Sequence, residues 1–220
     1  MGSTPAGMSP EGSDAWRRSI DATANARATS PASDEPAIVA AVLAGDRDAF
    51  RTLVDREANG VVRACHRVLG DLAEAEDVAQ EAFVIAYRSL ASWRGEGPFG
   101  AWLARIAVRL AIRQAARRRT VVWVRPTPGA DPDTHLHALP AGAGSDPEGL
   151  ALRVEGQRSV RDAVARLDEP YREVVALRFF AERSLAEIAA ITGRPLGTVK
   201  THLHRGLLRL RVKLEQGDAR

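Results

Sequence analysis

Ser184-Leu-Ala-Glu-Ile-Ala-Ala-Ile-Thr-Gly193-Arg-Pro-Leu-Gly-Thr-Val-Lys200-Thr-His-Leu-His-Arg-Gly-Leu-Leu-Arg-Leu-Arg-Val-Lys-Leu214 decides how this chain folds. Leu185, Ile188 and Ala189 mark a short helix, and Gly193 supplies a turn. Pro195 stands where a helix start tolerates a missing N–H. In the helix that follows, Val199, Leu203, Leu207, Leu210 and Leu214 fall within an arc of roughly 80° at ~100° per residue. Lys200, Thr201, His204 and Arg205 project from the other side. No carboxylate occurs between Ile188 and Leu214 to repel a phosphate. A short helix, a tight turn and a second helix with a basic, hydrogen-bonding face form the composite that reads a DNA major groove. An amphipathic helix with solvated charges is the plainer reading of the second helix alone, and the turn and the first helix argue against it.

Upstream of this motif the pattern stays helical. Val160, Val164 and Leu167 share one helix, and Val174, Val175, Leu177 and Phe180 share the next, which Asp168-Glu169-Pro170 opens. Residues 150–216 thus read as one small helical domain. Before it, residues 120–149 turn to Pro, Gly, Asp and His with a net acidic balance, too long and polar for a connection inside a compact domain. They read as a linker, and Val121–Val124 is the one β-like run. Residues 34–119 read as a first helical domain. Asp34-Glu35-Pro36 opens a helix carrying Ile38, Val39 and Val42, broken at Gly45-Asp46. A longer helix carries Phe50 to Leu69 and weakens near Asn59-Gly60. Gly70-Asp71 ends that helix and starts the next, with Val78, Phe83, Ile85 and Tyr87. The loop from Ser92 to Pro98 leads into a last helix from Phe99 to about Arg118. Residues 1–33, rich in Ser, Ala, Gly and Pro, read as a disordered tail.

Composition agrees with an all-α architecture of two small domains joined by a flexible linker. Of 220 residues, 45% are hydrophobic and only 5% aromatic, which favours helices built from Ala and Leu. The net charge of +3 makes basicity a matter of clustering rather than of total charge. A single cysteine, Cys65, excludes an internal disulfide and a multi-cysteine zinc site. No apolar run has membrane-spanning length and no signal-peptide core opens the chain, so membrane insertion is not expected and a cytoplasmic location is.

Two charged clusters mark the first domain. Asp71, Glu74, Glu76, Asp77 and Glu81 have no Lys or Arg among them. A helix macrodipole accounts for part of this, and a surface meeting a basic partner accounts for the rest. Arg105, Arg109, Arg113, Arg117, Arg118 and Arg119 follow on the last helix. Arg113 and Arg117 drift onto the arc of Leu103, Ile106 and Leu110, as in a helix end that runs clear of the core along a phosphate backbone. A solvated arginine face is the alternative. Trp93 and Phe99 flank the Gly-rich loop just before this helix, a setting that can hold an unpaired base against an aromatic wall. Trp93 closing the core is the alternative there, and Trp102 reads as core. Enzymatic constellations are missing: there is no Walker-type loop, no His-Glu-x-x-His and no Gly-x-Ser-x-Gly. His202 and His204 lie at i and i+2 and point apart, so no metal site or cofactor is expected and the chain does not read as an enzyme.

From about Ile38 to Leu214 the chain resembles the extracytoplasmic-function (ECF) sigma factors of bacterial RNA polymerase. Gly70 to Phe83, with its Glu76-Asp77-Val78-x-Gln80-Glu81-x-Phe83 core ahead of Trp102-Leu-x-Arg-Ile-Ala107, is similar to region two. Leu167 to Val174 and Gly197 to Lys200 are similar to region four. The resemblance implies that Asp77, Gln80, Glu81 and Phe83 meet the β′ clamp helices of core polymerase. It implies that Trp93, Arg94, Phe99, Arg105, Arg109 and Arg113 capture the minus-ten element as non-template single strand. It also implies that Lys200, Thr201, His204 and Arg205 read the minus-thirty-five element as double-stranded promoter DNA. An anti-sigma protein is an implied partner, and the linker would thread toward the polymerase active site and RNA exit path. Relatives often carry Asn at Arg109, an aromatic at Ala104 and a polar or basic residue at Gly100. A stand-alone, LuxR-like transcriptional regulator shares the Thr198-Val-Lys-Thr-His-Leu203 pattern. That regulator would bind its site unaided and would not need the acidic helix.

Overall fold

The computed structural model describes residues 34–124 and 147–217. Eight α-helices and no strand occur among them. The tail at 1–33 and most of the expected linker, 125–146, lie outside the described residues.

The first domain is built by α1 (Glu35–Leu43), α2 (Arg47–Leu69), α3 (Leu72–Arg88) and α4 (Phe99–Val124), with one 3-10 turn at Leu90–Ser92. Local chemistry sets each start. Asp46 accepts the N–H groups of Asp48 and Ala49, and Asp71 accepts that of Glu74 at 2.9 Å. Glu35, itself buried, accepts the N–H of Phe99 at 2.8 Å and so caps α4 from α1. The buried face of α3 is almost all alanine (Ala75, Ala79, Ala82 and Ala86, with Val78), which lets α2 and α4 approach it closely. Leu53, Val61, Leu103 and Phe99 fill the centre.

Helix α2 continues through Asn59-Gly60, where the sequence suggested a weak point. An interior glycine costs about 1 kcal/mol relative to alanine, and burial of Leu53, Val61, Ala64 and Cys65 on either side outweighs it. Helix α4 likewise continues through Val121–Val124, the run that looked β-like. Extending an existing helix gains a hydrogen bond per residue without a new nucleation cost, so local β propensity loses.

The second domain comprises α5 (Pro147–Ala165), α6 (Tyr171–Phe179), α7 (Leu185–Thr192) and α8 (Leu196–Gly217). Helix α5 starts three residues before the expected domain boundary, and the helix of the first domain ends five beyond it. A reciprocal capping box opens α7: Ser184 N–H donates to Glu187 at 2.8 Å and Glu187 N–H to Ser184 Oγ at 3.2 Å. Gly193 ends α7 with φ +65°, a left-handed conformation that glycine adopts without strain. Val164, Leu167, Val174, Leu177, Ile188, Val199 and Leu203 form the core. The two domains touch: α4 packs on α6 and α7, and α5 reaches α2 and α4. No helix among the described residues is long and apolar enough to cross a membrane.

Candidate nucleic-acid and partner interface

Helix α8 presents Lys200, Thr201, His204 and Arg205 together on its exposed face. Val199 and Leu203 anchor the opposite face in the core. Thr201 Oγ1 donates back to Gly197 O at 3.0 Å, which fixes its rotamer in the second turn of α8. His202 turns the other way and packs edge-on against Tyr171, with ring centroids 5.7 Å apart. Burial, and then the charges of Arg194 and Arg205, hold its imidazole below the ordinary histidine range and so favour its neutral form. Arg209 stacks over the other side of this region, 4.1 Å from the Tyr171 centroid. The four expected groove contacts are therefore all exposed on the face opposite the packed side of α8.

Helix α3 exposes Asp77, Gln80 and Glu81. Phe83 is half-buried and packs toward the core, about 120° around the helix from Asp77. The apolar member of the exposed stripe is Val84, 48% exposed and seven residues after Asp77. Its spacing from Asp77 was the available signal, and the reading of the sequence passed over it. The stripe is thus acidic with one apolar contact, the composition of a surface for a basic protein partner.

The expected minus-ten residues divide. Phe99 is fully buried, with its ring against Trp93 and Trp102 at centroid distances of 6.3 and 5.7 Å. It is a core residue and not a base contact. Trp102, expected in the core, packs against it half-buried and also lines a cavity of about 340 Å³ together with Trp93, Arg94, Gly97 and Arg105. The two rings that line the cavity are therefore Trp93 and Trp102. Arg94 extends into solvent at the mouth, its side chain 80% exposed. Arg113 lies elsewhere, in a groove of about 180 Å³ with Val78, Glu81, Ile85 and Arg117. Arg118 pairs with Glu74 at 2.9 Å. One arginine of this end of α4 is thus tied to α3, while residues 116–118 are all exposed.

Arg105 and Arg109 are held by a carboxylate that sequence reasoning missed. Glu173, on α6, is 4% exposed. Its Oε1 accepts from Arg105 Nε at 2.8 Å and Arg109 Nη2 at 2.6 Å, and its Oε2 accepts from Arg194 Nη1 at 2.8 Å. Arg105 also donates to the backbone oxygen of Ile191. Burial acts to raise the Glu173 carboxyl, but hydrogen bonds from Arg105 and Arg194 outweigh it and hold the group below the usual carboxylate range.

Gly100 also has a structural reason. A Cβ there would lie 2.2 Å from Glu57 Oε2, so the Glu57 carboxylate fills the space that a side chain at position 100 would need. Ala104 is 1% exposed, leaving no room for an aromatic without repacking. No cluster of three or more metal-ligating side chains occurs among the described residues.

Residues 53–121 match the Sigma-70 region 2 family and residues 157–210 match Sigma-70, region 4. The chain is 34% identical over 170 residues to the ECF RNA polymerase sigma factor SigW of Bacillus subtilis, covering 77% of this chain and 91% of that one. It is 35% identical over 173 residues to the ECF RNA polymerase sigma-E factor of Escherichia coli K12, covering 76% and 87%. Among solved structures it is similar to CnrH in complex with the cytosolic domain of CnrY. There the identity is 22%, the TM-score 0.49, and the match covers 81% of this chain and 96% of that one. An exposed basic helix-turn-helix and an acidic helix face, carried on two domains that match both sigma regions, have one explanation: the chain belongs to the ECF RNA polymerase sigma factors.

Proposed function

We propose that this sigma factor binds core RNA polymerase through the acidic stripe of α3 and directs initiation at promoters with minus-ten and minus-thirty-five elements. The observation that carries this reading is the exposed row Asp77, Gln80, Glu81 and Val84, which a regulator acting alone on DNA has no need to present. Its carboxylates suit the basic clamp helices of the β′ subunit. Lys200, Thr201, His204 and Arg205 enter the major groove of the minus-thirty-five duplex, where one good bidentate base contact is worth about 1–3 kcal/mol of discrimination. Trp93 and Trp102 supply stacking surfaces for the non-template strand of the minus-ten element, with Arg94, Arg105 and Arg109 for its phosphates. The chain contributes specificity, and nucleotide transfer stays with the polymerase. The family resemblance extends the reading to an anti-sigma protein that holds the chain off the polymerase.

The test is to add the purified chain to sigma-free core polymerase with a library of promoter fragments and sequence the transcripts. Initiation at a fixed distance from two shared elements is expected. Tight DNA binding by the chain alone, with no affinity for core polymerase, would replace this reading with that of a stand-alone regulator.

A further inference from the structure

Two glycines of α8 stand there for different reasons. A Cβ on Gly206 would lie 2.7 Å from Val175 Cγ2, so glycine there lets α8 pack closely on α6. A Cβ on Gly197 would meet no atom within 4 Å apart from its chain neighbours and its own helical backbone. Its conformation is helical, unlike that of Gly193 with φ +65°, so the backbone does not demand glycine either. Glycine is a poorer helix former than alanine, and no contact among the described residues offsets that at position 197. Gly197 is exposed, and at ~100° per residue it falls near the middle of the arc spanned by Lys200, Thr201, His204 and Arg205. The reading face therefore has a dent at its centre.

One turn on from the dent, Thr201 Oγ1 donates to Gly197 O at 3.0 Å. The hydroxyl is thereby spent as a donor, and the γ-methyl remains as the apolar group of Thr201. We propose that Gly197 and Thr201 form a notch that seats the C5-methyl of one thymine in the minus-thirty-five element. This rests on the reading given above, in which α8 lies in the major groove of that duplex. Base edges face the middle of a groove-bound helix and phosphates flank it, so a dent at the centre of the arc meets a base edge. The C5-methyl of thymine is the one alkyl group that base edges offer there, and it is matched by apolar groups such as a threonine methyl. Lys200, His204 and Arg205 surround the notch and supply the polar contacts. Gly197 acts through the atom it lacks: an added Cβ would hold the helix off the methyl.

The test uses holoenzyme reconstituted from core polymerase and the full-length chain, with the minus-thirty-five duplex that it selects from the promoter library. Each thymine of the element, on either strand, is replaced in turn by deoxyuridine, which lacks only the methyl. Wild type is expected to lose affinity about fourfold at one position, the value of burying a single methyl group. Thr201→Ser, which keeps the hydroxyl and removes the methyl, is expected to bind thymine and deoxyuridine equally at that position. Gly197→Ala is expected to bind the thymine duplex about tenfold more weakly than wild type. It should recover most of that loss when the same thymine becomes deoxyuridine. Gly156→Ala is the control, at an exposed helical glycine of α5 with equally open surroundings, and is expected to bind as wild type does. Thermal midpoints of both alanine variants, expected at or above that of wild type, separate lost binding from lost folding. Full affinity of Gly197→Ala overturns the notch, and so does the absence of any thymine at which Gly197→Ala and Thr201→Ser change the response to deoxyuridine. Equal affinity of wild-type holoenzyme for the selected and a scrambled element overturns the groove reading on which the notch stands.

Discussion

The carboxylate of Glu35 accepts the backbone N–H of Phe99 at 2.8 Å, so the first helix of the domain caps the fourth. The first N–H groups of a helix have no partner within it, and here one of them is buried with Phe99. Hydrogen bonds to charged groups contribute about 1.5–3 kcal/mol. Glu35→Ala is therefore expected to lower the thermal midpoint by several degrees, and Glu35→Gln, which keeps an acceptor, to recover most of the loss. Calorimetry of the three proteins decides it, and equal midpoints for Glu35→Ala and wild type would show the cap to be idle.

Gly100 and Glu57 make a second coupled pair. A methyl at position 100 would meet the Glu57 carboxylate at 2.2 Å, and the contact is with the end of a side chain, which can swing aside. The expected cost of Gly100→Ala is about 1 kcal/mol, the low end of overpacking. In the double variant with Glu57→Ala that cost is expected to fall below the sum of the singles by at least about 0.5 kcal/mol. Additive losses in urea melts would show that the two side chains do not share the space.

Glu57 also has a pH signature. Burial, opposed by Arg183 and reinforced by Glu35, holds its carboxyl above the usual range. A raised folded-state value means that the fold favours the protonated form. The penalty of ionising Glu57 is absent below the unfolded value and fully present above the folded one. Glu57→Gln is thus expected to raise the thermal midpoint at pH 7 by a few degrees, with the gain vanishing below about pH 4. A gain that persisted at acid pH would have another origin.

Most of the fold is legible because its signals are local. Asp46, the Gly70-Asp71 pair, the Ser184/Glu187 box and Gly193 act within four residues of themselves, and the sequence carries each boundary openly. The charged groups that organise the site are different. Glu35 and Glu173 find partners 64 and 68 residues away, and Glu57 lies against Gly100, 43 residues on. No periodicity encodes such pairings. Phe99 is an intermediate case. At ~100° per residue it falls near the centre of the arc of Leu103, Ile106 and Leu110, and Trp102 falls about 40° beyond the edge of that arc. The helical phase thus already assigned Phe99 to the core and Trp102 to its margin, and the adjoining Gly-rich loop drew Phe99 the other way.

The acidic stripe of α3 yields a sharper test than its charge alone. Asp77→Lys with Glu81→Lys reverses two exposed charges without touching the core, and is expected to weaken core polymerase binding by more than tenfold, since like-charge juxtaposition costs several kcal/mol. Val84→Asp keeps the stripe acidic but removes its apolar contact, and is expected to cost roughly 1–2 kcal/mol. Affinity for core polymerase, measured with the thermal midpoint as a control, checks both. Unchanged affinity in the charge-reversed protein would refute the clamp assignment.

The reading helix should reveal itself through salt. Each phosphate that Lys200 or Arg205 neutralises adds about 0.9 to the slope of log affinity against log salt, because condensed counterions are released. A base contact leaves that slope alone and instead sets sequence preference, at about 1–3 kcal/mol per pair. Lys200→Ala and Arg205→Ala are each expected to weaken holoenzyme binding to a minus-thirty-five duplex by roughly 10–100-fold, through one signature or the other. His202→Ala, on the packed side against Tyr171, should lower stability while leaving the sequence preference intact. Titrations on matched and scrambled duplexes at several salt concentrations separate these outcomes. Full affinity in the Lys200→Ala, Arg205→Ala double variant would remove α8 from the promoter interface.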